Sequence, residues 1–318
     1  MDALYRLEAD KLDIFLQSLG PDIYAPVKTD AIRFQKISSV KEADLTALAD
    51  VPVKDFFFRQ REQLFKFTKG KIATEIKDAP FRIFFGLRRC DLNAVKHQDF
   101  IFIEKYKDPY YTAQRKNTLL FGYHCDEALN KYCFCGSMGL EEYHDIMFFD
   151  KKKYFLLNPG SKVGQKIVSE AKLKRAGTLK KKDTIPKGTD RLEKKDISKL
   201  FENSLWEKGA DECLSCSACT SLCPTCYCHE VKDDVKLSDL KSGERTREWS
   251  SCQLKSFTRV AGEHVFREKR VDRFKHRIYH QLVYFKERYG VNMCVGCGRC
   301  ITHCPTTIDF VSLINKMK

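Results

Sequence analysis

The chain carries one four-cysteine pattern twice, and this duplication limits its possible folds more than any other feature. Both copies read Cys-x2-Cys-x2-Cys-x3-Cys-Pro. Their cysteines are Cys213, Cys216, Cys219 and Cys223 in the first copy, and Cys294, Cys297, Cys300 and Cys304 in the second. Three cysteines at this spacing wrap a short loop around one [4Fe-4S] cluster, so each copy predicts an iron–sulfur site.

The fourth cysteine of each copy is expected to bind the cluster of the other copy, as in two-cluster proteins of this pattern. We therefore predict two [4Fe-4S] clusters with crossed ligands. The predicted sets are Cys213, Cys216, Cys219 and Cys304 for one cluster, and Cys294, Cys297, Cys300 and Cys223 for the other. Gly296 and Gly298 suit tight turns whose N–H groups can point at cluster sulfurs. Crossed ligation requires the two motifs to lie side by side.

Zinc is the alternative metal, because four thiolates in a tetrahedron also hold many small domains together. Zinc sites usually pair two Cys-x2-Cys knuckles across a longer gap, however, and a duplicated run that ends in Cys-Pro favours iron–sulfur clusters. Clusters with four thiolate ligands transfer single electrons and do not transform a substrate. The motifs therefore predict an electron relay.

Seven cysteines lie outside the motifs, and the sequence leaves their role open. They are Cys90, Cys125, Cys133, Cys135, Cys226, Cys228 and Cys252. Each could be a small buried apolar side chain, whereas their close pairing along the chain also allows a further cluster or a zinc ion. The histidines have no metal-binding spacing, and no arrangement of residues identifies a catalytic group.

Composition and length indicate a folded protein of about two domains. The chain has 318 residues, of which 43% are hydrophobic. No apolar run approaches the roughly 18 residues of a membrane helix, and the start lacks a basic-then-apolar secretory signal. We therefore expect a cytoplasmic location, where disulfides rarely persist and a cysteine-rich chain more often binds metal.

The apolar pattern predicts an α+β protein in three parts. Residues 1–160 are predicted as an α/β domain for partner docking, 161–196 as a basic helix and linker, and 197–318 as a mostly helical two-cluster domain. The predicted elements are helices 10–19, 91–103 and 271–289 and strands 31–37, 81–87, 118–124, 145–149 and 154–157.

Positive charge is concentrated in residues 171–200. This segment holds 11 of the Lys and Arg residues against 4 Asp and Glu, a surplus of 7 out of the net charge of +14. A solvated linker and a docking surface for an acidic partner are both consistent with such a run. The segment contains no aromatic residue, so it does not resemble a nucleic-acid site.

The sequence contains no Gly-x-Gly-x-x-Gly fingerprint and no phosphate-binding loop. A relay needs a donor and an acceptor, so flavin, nicotinamide and any active-site metal are expected on other chains. This reasoning predicts a subunit of a larger complex.

Eight segments spread over both halves of the chain form a further pattern. They are Tyr24-Ala25-Pro26-Val27-Lys28, Phe56-Phe57-Phe58, Gly86-Leu87-Arg88-Arg89-Cys90-Asp91-Leu92, Asp108-Pro109-Tyr110-Tyr111, Tyr132-Cys133-Phe134-Cys135, Cys223-Pro224-Thr225-Cys226-Tyr227-Cys228, Trp249-Ser250-Ser251-Cys252-Gln253 and Cys294-Val295-Gly296-Cys297-Gly298-Arg299-Cys300. Together these segments resemble the β subunit of cytoplasmic nickel-iron hydrogenases of the sulfhydrogenase type. The resemblance implies an α-helical ferredoxin-like fold around the clusters. It also implies a relay between a subunit that binds FAD and NAD(P) and the hydrogenase small and large subunits, with no nucleic acid or membrane involved.

Three other functions remain open at this point. The electron-transfer subunit of anaerobic sulfite reductase belongs to the same dicluster group and shares much of the pattern, so the terminal reaction could be sulfite reduction. A zinc-stabilised nucleic-acid-binding protein is favoured only by the pI of about 9.0. A free-standing enzyme would use the N-terminal domain to hold a substrate.

Overall fold

The strands of the protein form two sheets within the part of the chain that the computed structural model describes, residues 2–180 and 184–318. In chain order, strands β1 to β12 are Asp2–Glu8, Ile23–Lys28, Ile32–Ile37, Arg61–Thr68, Lys71–Ala73, Arg82–Leu87, Thr118–Tyr123, Ile146–Asp150, Tyr154–Pro159, Lys174–Leu179, His229–Lys236 and Asp239–Trp249. The mixture of sheets and helices confirms the predicted α+β class.

The helices flank the large sheet and build much of the C-terminal region. In chain order, α1 to α10 are Leu12–Leu19, Arg89–Asp99, Pro109–Arg115, Lys162–Glu170, Leu205–Asp211, Ala218–Ser221, Arg270–Tyr279, Phe285–Tyr289, Arg299–Thr302 and Phe310–Lys316. A π-helical segment, Phe100–Lys105, continues α2, and another, His280–Tyr284, joins α7 to α8. No helix in the described ranges is long and apolar enough to cross a bilayer.

The eight-stranded sheet has the order β10-β1-β9-β8-β7-β6-β2-β3. Its central strands β2, β6, β7 and β8 run parallel. Parallel strands are buried on both faces, and β6 is accordingly buried along its whole length. Successive side chains alternate between faces, so Phe84 enters the core under α2 and Phe85 enters the core under α1 and α4.

The predicted elements of the N-terminal region are confirmed with shifts of a few residues. Strands β3, β6, β7, β8 and β9 coincide with the five predicted runs, and α2 with its π-helical extension covers the predicted helix 91–103. Helix 10–19 begins as a 3-10 turn and continues as α1. The helical stripe 271–289 is α7, a π-helical segment and α8, and it ends at Gly290 in the left-handed conformation.

A four-stranded sheet of order β11-β12-β4-β5 joins the two halves of the chain. The antiparallel hairpin β11–β12 lies within residues 197–318, where the periodicity predicts mainly helices, and it pairs with β4. Charged side chains dominate β11, so no apolar alternation marked it as a strand. Arg247 of β12 is buried and pairs with Glu62 at 2.5 Å, and it also contacts Asp108.

The segment after residue 160 contributes to both parts of the molecule. The helix predicted after residue 160 is α4, which ends at Glu170, but residues 174–179, also expected as helix or linker, form strand β10 instead. Strand β10 pairs with β1 at the edge of the large sheet. Further along, Arg191 pairs with Asp309 at 2.5 Å, and Lys195 donates to carbonyl oxygens at the end of α10. Part of the predicted solvated linker therefore packs on the C-terminal helix. Residues 181–183 of the basic run lie outside the described residues.

The second cysteine motif is attached to the large sheet through α2. Because β6 and β7 are parallel, their carboxyl ends meet at one edge, where α2 begins. Arg299 of α9 pairs there with Asp91 at 2.8 Å, and both side chains are 2% exposed. The Arg299 guanidinium also donates to the carbonyl oxygen of Ala49 at 2.6 Å. Burying both partners fixes the position of the second motif against the N-terminal domain.

We predict that Asp91→Asn destabilises the protein by about 3–5 kcal/mol, because it leaves the buried Arg299 guanidinium without a counter-charge. Anaerobic urea unfolding of the full chain measures the change. The control is Asp234→Asn, which removes one of three acidic partners of the exposed Arg61, at 2.7 Å, and should change stability little. Equal effects of both substitutions would contradict the structural role of the buried pair.

Candidate metal centre

The two cysteine motifs share positive φ angles at two equivalent positions, and a short helix follows in each. In the first motif Ser215 and Ser217 have positive φ angles of 53° and 70°, and α6 follows. In the second motif Gly296 and Gly298 occupy the equivalent positions with φ of 67° and 77°, and α9 follows. The duplication in sequence is thus a duplication in structure, and α6 and α9 pack against each other.

Backbone N–H groups point at the first sulfur of each motif. The N–H of Ser215 donates to Sγ of Cys213 at 3.4 Å, and the N–H of Gly296 donates to Sγ of Cys294 at the same distance. Such donors stabilise negative charge on a ligand sulfur and tune the potential of a bound cluster. The expected role of Gly296 as an N–H donor is consistent with this geometry.

Two features of the second motif require glycine: the left-handed turn, and a neighbouring loop that leaves no room for a side chain. The backbone of Gly296 lies against residues 134 and 135, where an added Cβ would stand 2.6 Å from the Cα of Cys135. A Cβ on Gly298 would stand 2.7 Å from the carbonyl oxygen of Tyr132. The N–H of Phe134 donates to the carbonyl oxygen of Gly296 at 2.8 Å. The first motif carries serine at both equivalent positions.

The first predicted ligand set surrounds one cavity. Cys213, Cys216 and Cys219 line it together with Cys304 of the second motif, and Cys300, a predicted ligand of the other set, also reaches its wall. Phe274, Ile278, Ile308 and Phe310 supply apolar walls. Cys216 is exposed, so this cavity lies near the protein surface. Burial raises the pKa of the Cys219 thiol to about 11.

The second predicted ligand set lies deeper. Cys223 of the first motif interacts electrostatically with each of Cys294, Cys297 and Cys300. Burial raises the pKa of Cys294 to about 12 and that of Cys300 well above its usual value. The structure thus brings each fourth cysteine next to the first three cysteines of the other motif.

Two buried cations lie among the cysteines, and the sequence analysis identified neither. Arg277 of α7 lines the first cavity and donates to the carbonyl oxygen of Cys219 at 2.9 Å. Burial disfavours its charge, but the thiols of Cys226 and Cys223 raise its pKa overall. Lys54 donates to the carbonyl oxygens of Ser221 and Cys226 at 3.1 and 3.2 Å. Both cations oppose the negative charge of thiolate ligands.

The missed cations have no signature in the sequence. Arg277 sits beside Ile278 on an otherwise ordinary amphipathic helix, and Lys54 is more than 150 residues from the motif that it contacts. In the structure, Nε of Arg277 is buried and has no hydrogen-bond partner. Sequence periodicity cannot detect such a contact.

The seven remaining cysteines fall into two groups in space. Cys226, Cys228 and Cys252 lie beside the first motif, where a hydrogen bond from Cys252 lowers the pKa of Cys228 to about 7. The other group is Cys90, Cys125, Cys133 and Cys135, beside the second motif. All fifteen cysteines lie within the described residues, and none of them forms a disulfide.

Histidine and carboxylate side chains add nothing to these sites. His303 pairs with Asp50 at 3.1 Å, and His97 contacts the carbonyl oxygen of Met293 at 3.1 Å. A search of residues 2–180 and 184–318 finds no group of three or more His, Cys, Asp or Glu side chains arranged to hold a single metal ion.

Comparison with known proteins identifies the family. Residues 212–308 match the 4Fe-4S dicluster domain, and this range contains all eight motif cysteines. The chain is 33% identical over 315 residues to sulfhydrogenase 2 subunit beta of Pyrococcus furiosus, with 93% of this chain and 92% of the relative covered. The chain belongs to the sulfhydrogenase β-subunit family. No solved structure matches it.

Membership of the sulfhydrogenase β-subunit family confirms the resemblance carried by the sequence motifs. The dicluster match favours iron–sulfur clusters over zinc, and together the two findings support an iron–sulfur electron-transfer subunit of a hydrogenase. The dicluster range includes Cys226, Cys228 and Cys252 but not the group around Cys90. The residues fit such clusters because thiols, N–H donors and buried cations converge.

We predict that Gly296→Ala prevents assembly of the second cluster, because the new methyl group would collide with the backbone of Cys135 in a left-handed turn. The matched control is Ser215→Ala, which already has a Cβ at the equivalent position and loses only a buried hydroxyl without a partner. Iron and acid-labile sulfide should fall by about four atoms each per chain in Gly296→Ala. Normal iron content in that variant would contradict the steric argument.

Proposed function

We propose that this protein relays electrons between a subunit that binds FAD and NAD(P) and the small and large subunits of a cytoplasmic nickel-iron hydrogenase. The observation that carries the proposal is the meeting of the two cysteine motifs through α6 and α9. Two sets of four cysteines thereby lie side by side within one domain, as a relay between separate donor and acceptor sites requires.

The proposed ligands are Cys213, Cys216, Cys219 and Cys304 for one cluster and Cys294, Cys297, Cys300 and Cys223 for the other. When bound, a [4Fe-4S] cluster supplies one-electron transfer without bond making in a substrate. The lining of the first cavity by Cys304 and the electrostatic contact of Cys223 with the second motif support crossed ligation.

The protein's own side chains shape these sites. Phe274, Ile278 and Ile308 form apolar walls of the first cavity. Apolar walls disfavour the added negative charge of a reduced site, whereas the nearby Arg277 guanidinium and the N–H groups of Ser215 and Gly296 favour it. The balance of burial against these positive groups sets the potential at which the sites accept an electron.

The exposure of Cys216 indicates which part of the protein surface a redox partner would contact. The first cavity opens near the surface, whereas Cys223 and Cys297 of the second set are buried. We therefore propose that one redox partner docks beside the first motif. The absence of a nucleotide-binding fingerprint from the sequence supports the assignment of FAD and NAD(P) to a partner subunit.

Paired double substitutions test the crossed ligands. We predict that Cys216→Ser with Cys304→Ser removes only one cluster, because both side chains belong to the same set. Cys297→Ser with Cys304→Ser should remove both clusters, because each substitution damages a different set. Iron analysis of anaerobically isolated protein should therefore show about four more iron atoms in the first double variant. The reverse order would establish uncrossed ligation.

Substitution in the assembled complex tests the relay. We predict that Cys297→Ser lowers NAD(P)H-driven hydrogen evolution at least tenfold, while hydrogen-driven reduction of a viologen dye at the nickel-iron module changes little. The control is Ser217→Ala, which keeps all ligand thiols and should preserve both activities. Loss of both activities in Cys297→Ser would indicate a structural role for the second motif. In a separate test, co-purification with a sulfite reductase instead of a nickel-iron subunit would reject the hydrogenase assignment.

A further inference from the structure

Four cysteines outside the dicluster domain converge at one edge of the large sheet. Cys90 is the second residue of α2, directly after β6, and Cys125 follows β7 by two residues. Because β6 and β7 are adjacent and parallel, their carboxyl ends place both residues at the same edge. Crevices outside the carboxyl ends of parallel strands are the usual ligand sites of such sheets.

The loop after β7 brings two further thiols to this edge. Cys125, Cys133 and Cys135 interact electrostatically with one another, and Cys90 does so with Cys135. Cys90 and Cys135 also pack in one apolar cluster. Two separate segments of the chain, the start of α2 and the loop after β7, therefore supply four thiols, the number that a [4Fe-4S] cluster needs.

This group of thiols touches the second cysteine motif. Cys90 packs against Val295 and Cys297, and Sγ of Cys133 lies 3.9 Å from the carbonyl oxygen of Cys297. The backbone of Cys135 lies against Gly296. A group bound here would be a direct neighbour of the second motif cluster.

A buried cation accompanies the four thiols. Arg88 is 3% exposed, and its guanidinium donates to the carbonyl oxygens of Tyr123 and His124 at 3.3 and 3.4 Å and to that of Leu45. Carbonyl oxygens satisfy the donors but neutralise no charge. Burial raises the pKa of the Cys125 thiol overall, and the same guanidinium, which faces Cys125, opposes that rise. A buried guanidinium without a counter-charge is energetically costly, and thiolate ligands here would supply that counter-charge to Arg88.

We propose that Cys90, Cys125, Cys133 and Cys135 bind a third [4Fe-4S] cluster, which extends the relay beyond the dicluster domain. When a preassembled cluster is transferred from four carrier thiolates, each protein thiol displaces one carrier thiolate from iron and passes its proton to it. Four Fe–S bonds to the carrier therefore break as four Fe–S bonds to the protein form, and no electron is transferred. The proposal goes beyond the relay through the two motif clusters and does not depend on the terminal reaction.

Metal analysis of the full chain, isolated anaerobically and reconstituted, tests the site. The expected content is about twelve iron and twelve sulfide atoms per chain with no zinc. After reduction with dithionite, spin quantitation by electron paramagnetic resonance should approach three spins per chain, against two for the motif clusters alone. A content of about eight irons, or one zinc beside eight irons, overturns the proposal irrespective of any variant.

Variants locate the site. Cys125→Ser and the double variant Cys133→Ser with Cys135→Ser should each lower the iron content by one third and leave the signals of the motif clusters in place. The matched control is Lys131→Ser, an exposed residue of the same loop that removes no thiol. An unchanged iron content in Cys125→Ser, or an equal loss in Lys131→Ser, overturns the proposal. Cys216→Ser should lose a motif cluster and keep the cluster at Cys90, Cys125, Cys133 and Cys135. That result would show that the third site can be tested independently of the proposed relay function.

Discussion

The close approach of two backbones, at Gly296 and at residues 132–135, is the contact on which the rest of the architecture depends. It leaves no space for a side chain on the second motif, and the hydrogen bond from Phe134 to Gly296 fixes the register of the two segments. The ion pair between Arg299 and Asp91 holds the same junction from the other side of the motif. The second motif is therefore part of the interface between the sheet and the cluster-binding helices, whereas the first motif is bounded by an open cavity.

Buried positive charge is the second constraint on the site. Arg277 and Lys54 lie among the thiols of the first motif, and Arg88 lies beside Cys125. A guanidinium or ammonium group in the interior is stable only with a compensating negative partner. Thiolates that are held by a bound cluster provide that partner in each place. The buried cations thus indicate where negatively charged ligands would be stabilised, and this indication does not depend on the cysteine spacing.

The sequence predicted local elements and the cluster motifs well but missed how the two halves of the chain join. Strand β6 was predictable because every residue is buried and its run is aromatic, and the helix 271–289 because its apolar residues recur at helical spacing. Hairpin β11–β12 was missed because its strands are rich in charge and are stabilised by pairing with β4, far away in the chain. The roles of Arg277 and Lys54 arise from tertiary contacts alone, so no local pattern could reveal them. The grouping of Cys90 with Cys135 likewise depends on the parallel pairing of β6 and β7.

These constraints couple cluster binding to folding. Burial raises the pKa of Cys294 and Cys300, whereas a hydrogen bond with Cys226 holds the pKa of Cys223 well below its usual value. Metal binding requires deprotonated ligands and therefore adds negative charge beside the buried Arg277 guanidinium. The same step neutralises a desolvated cation and fills the apolar cavity lined by Phe274 and Ile278. Since α7 carries both Arg277 and the core residues Phe274 and Ile278, the packing of the C-terminal helices and the binding of the clusters stabilise each other.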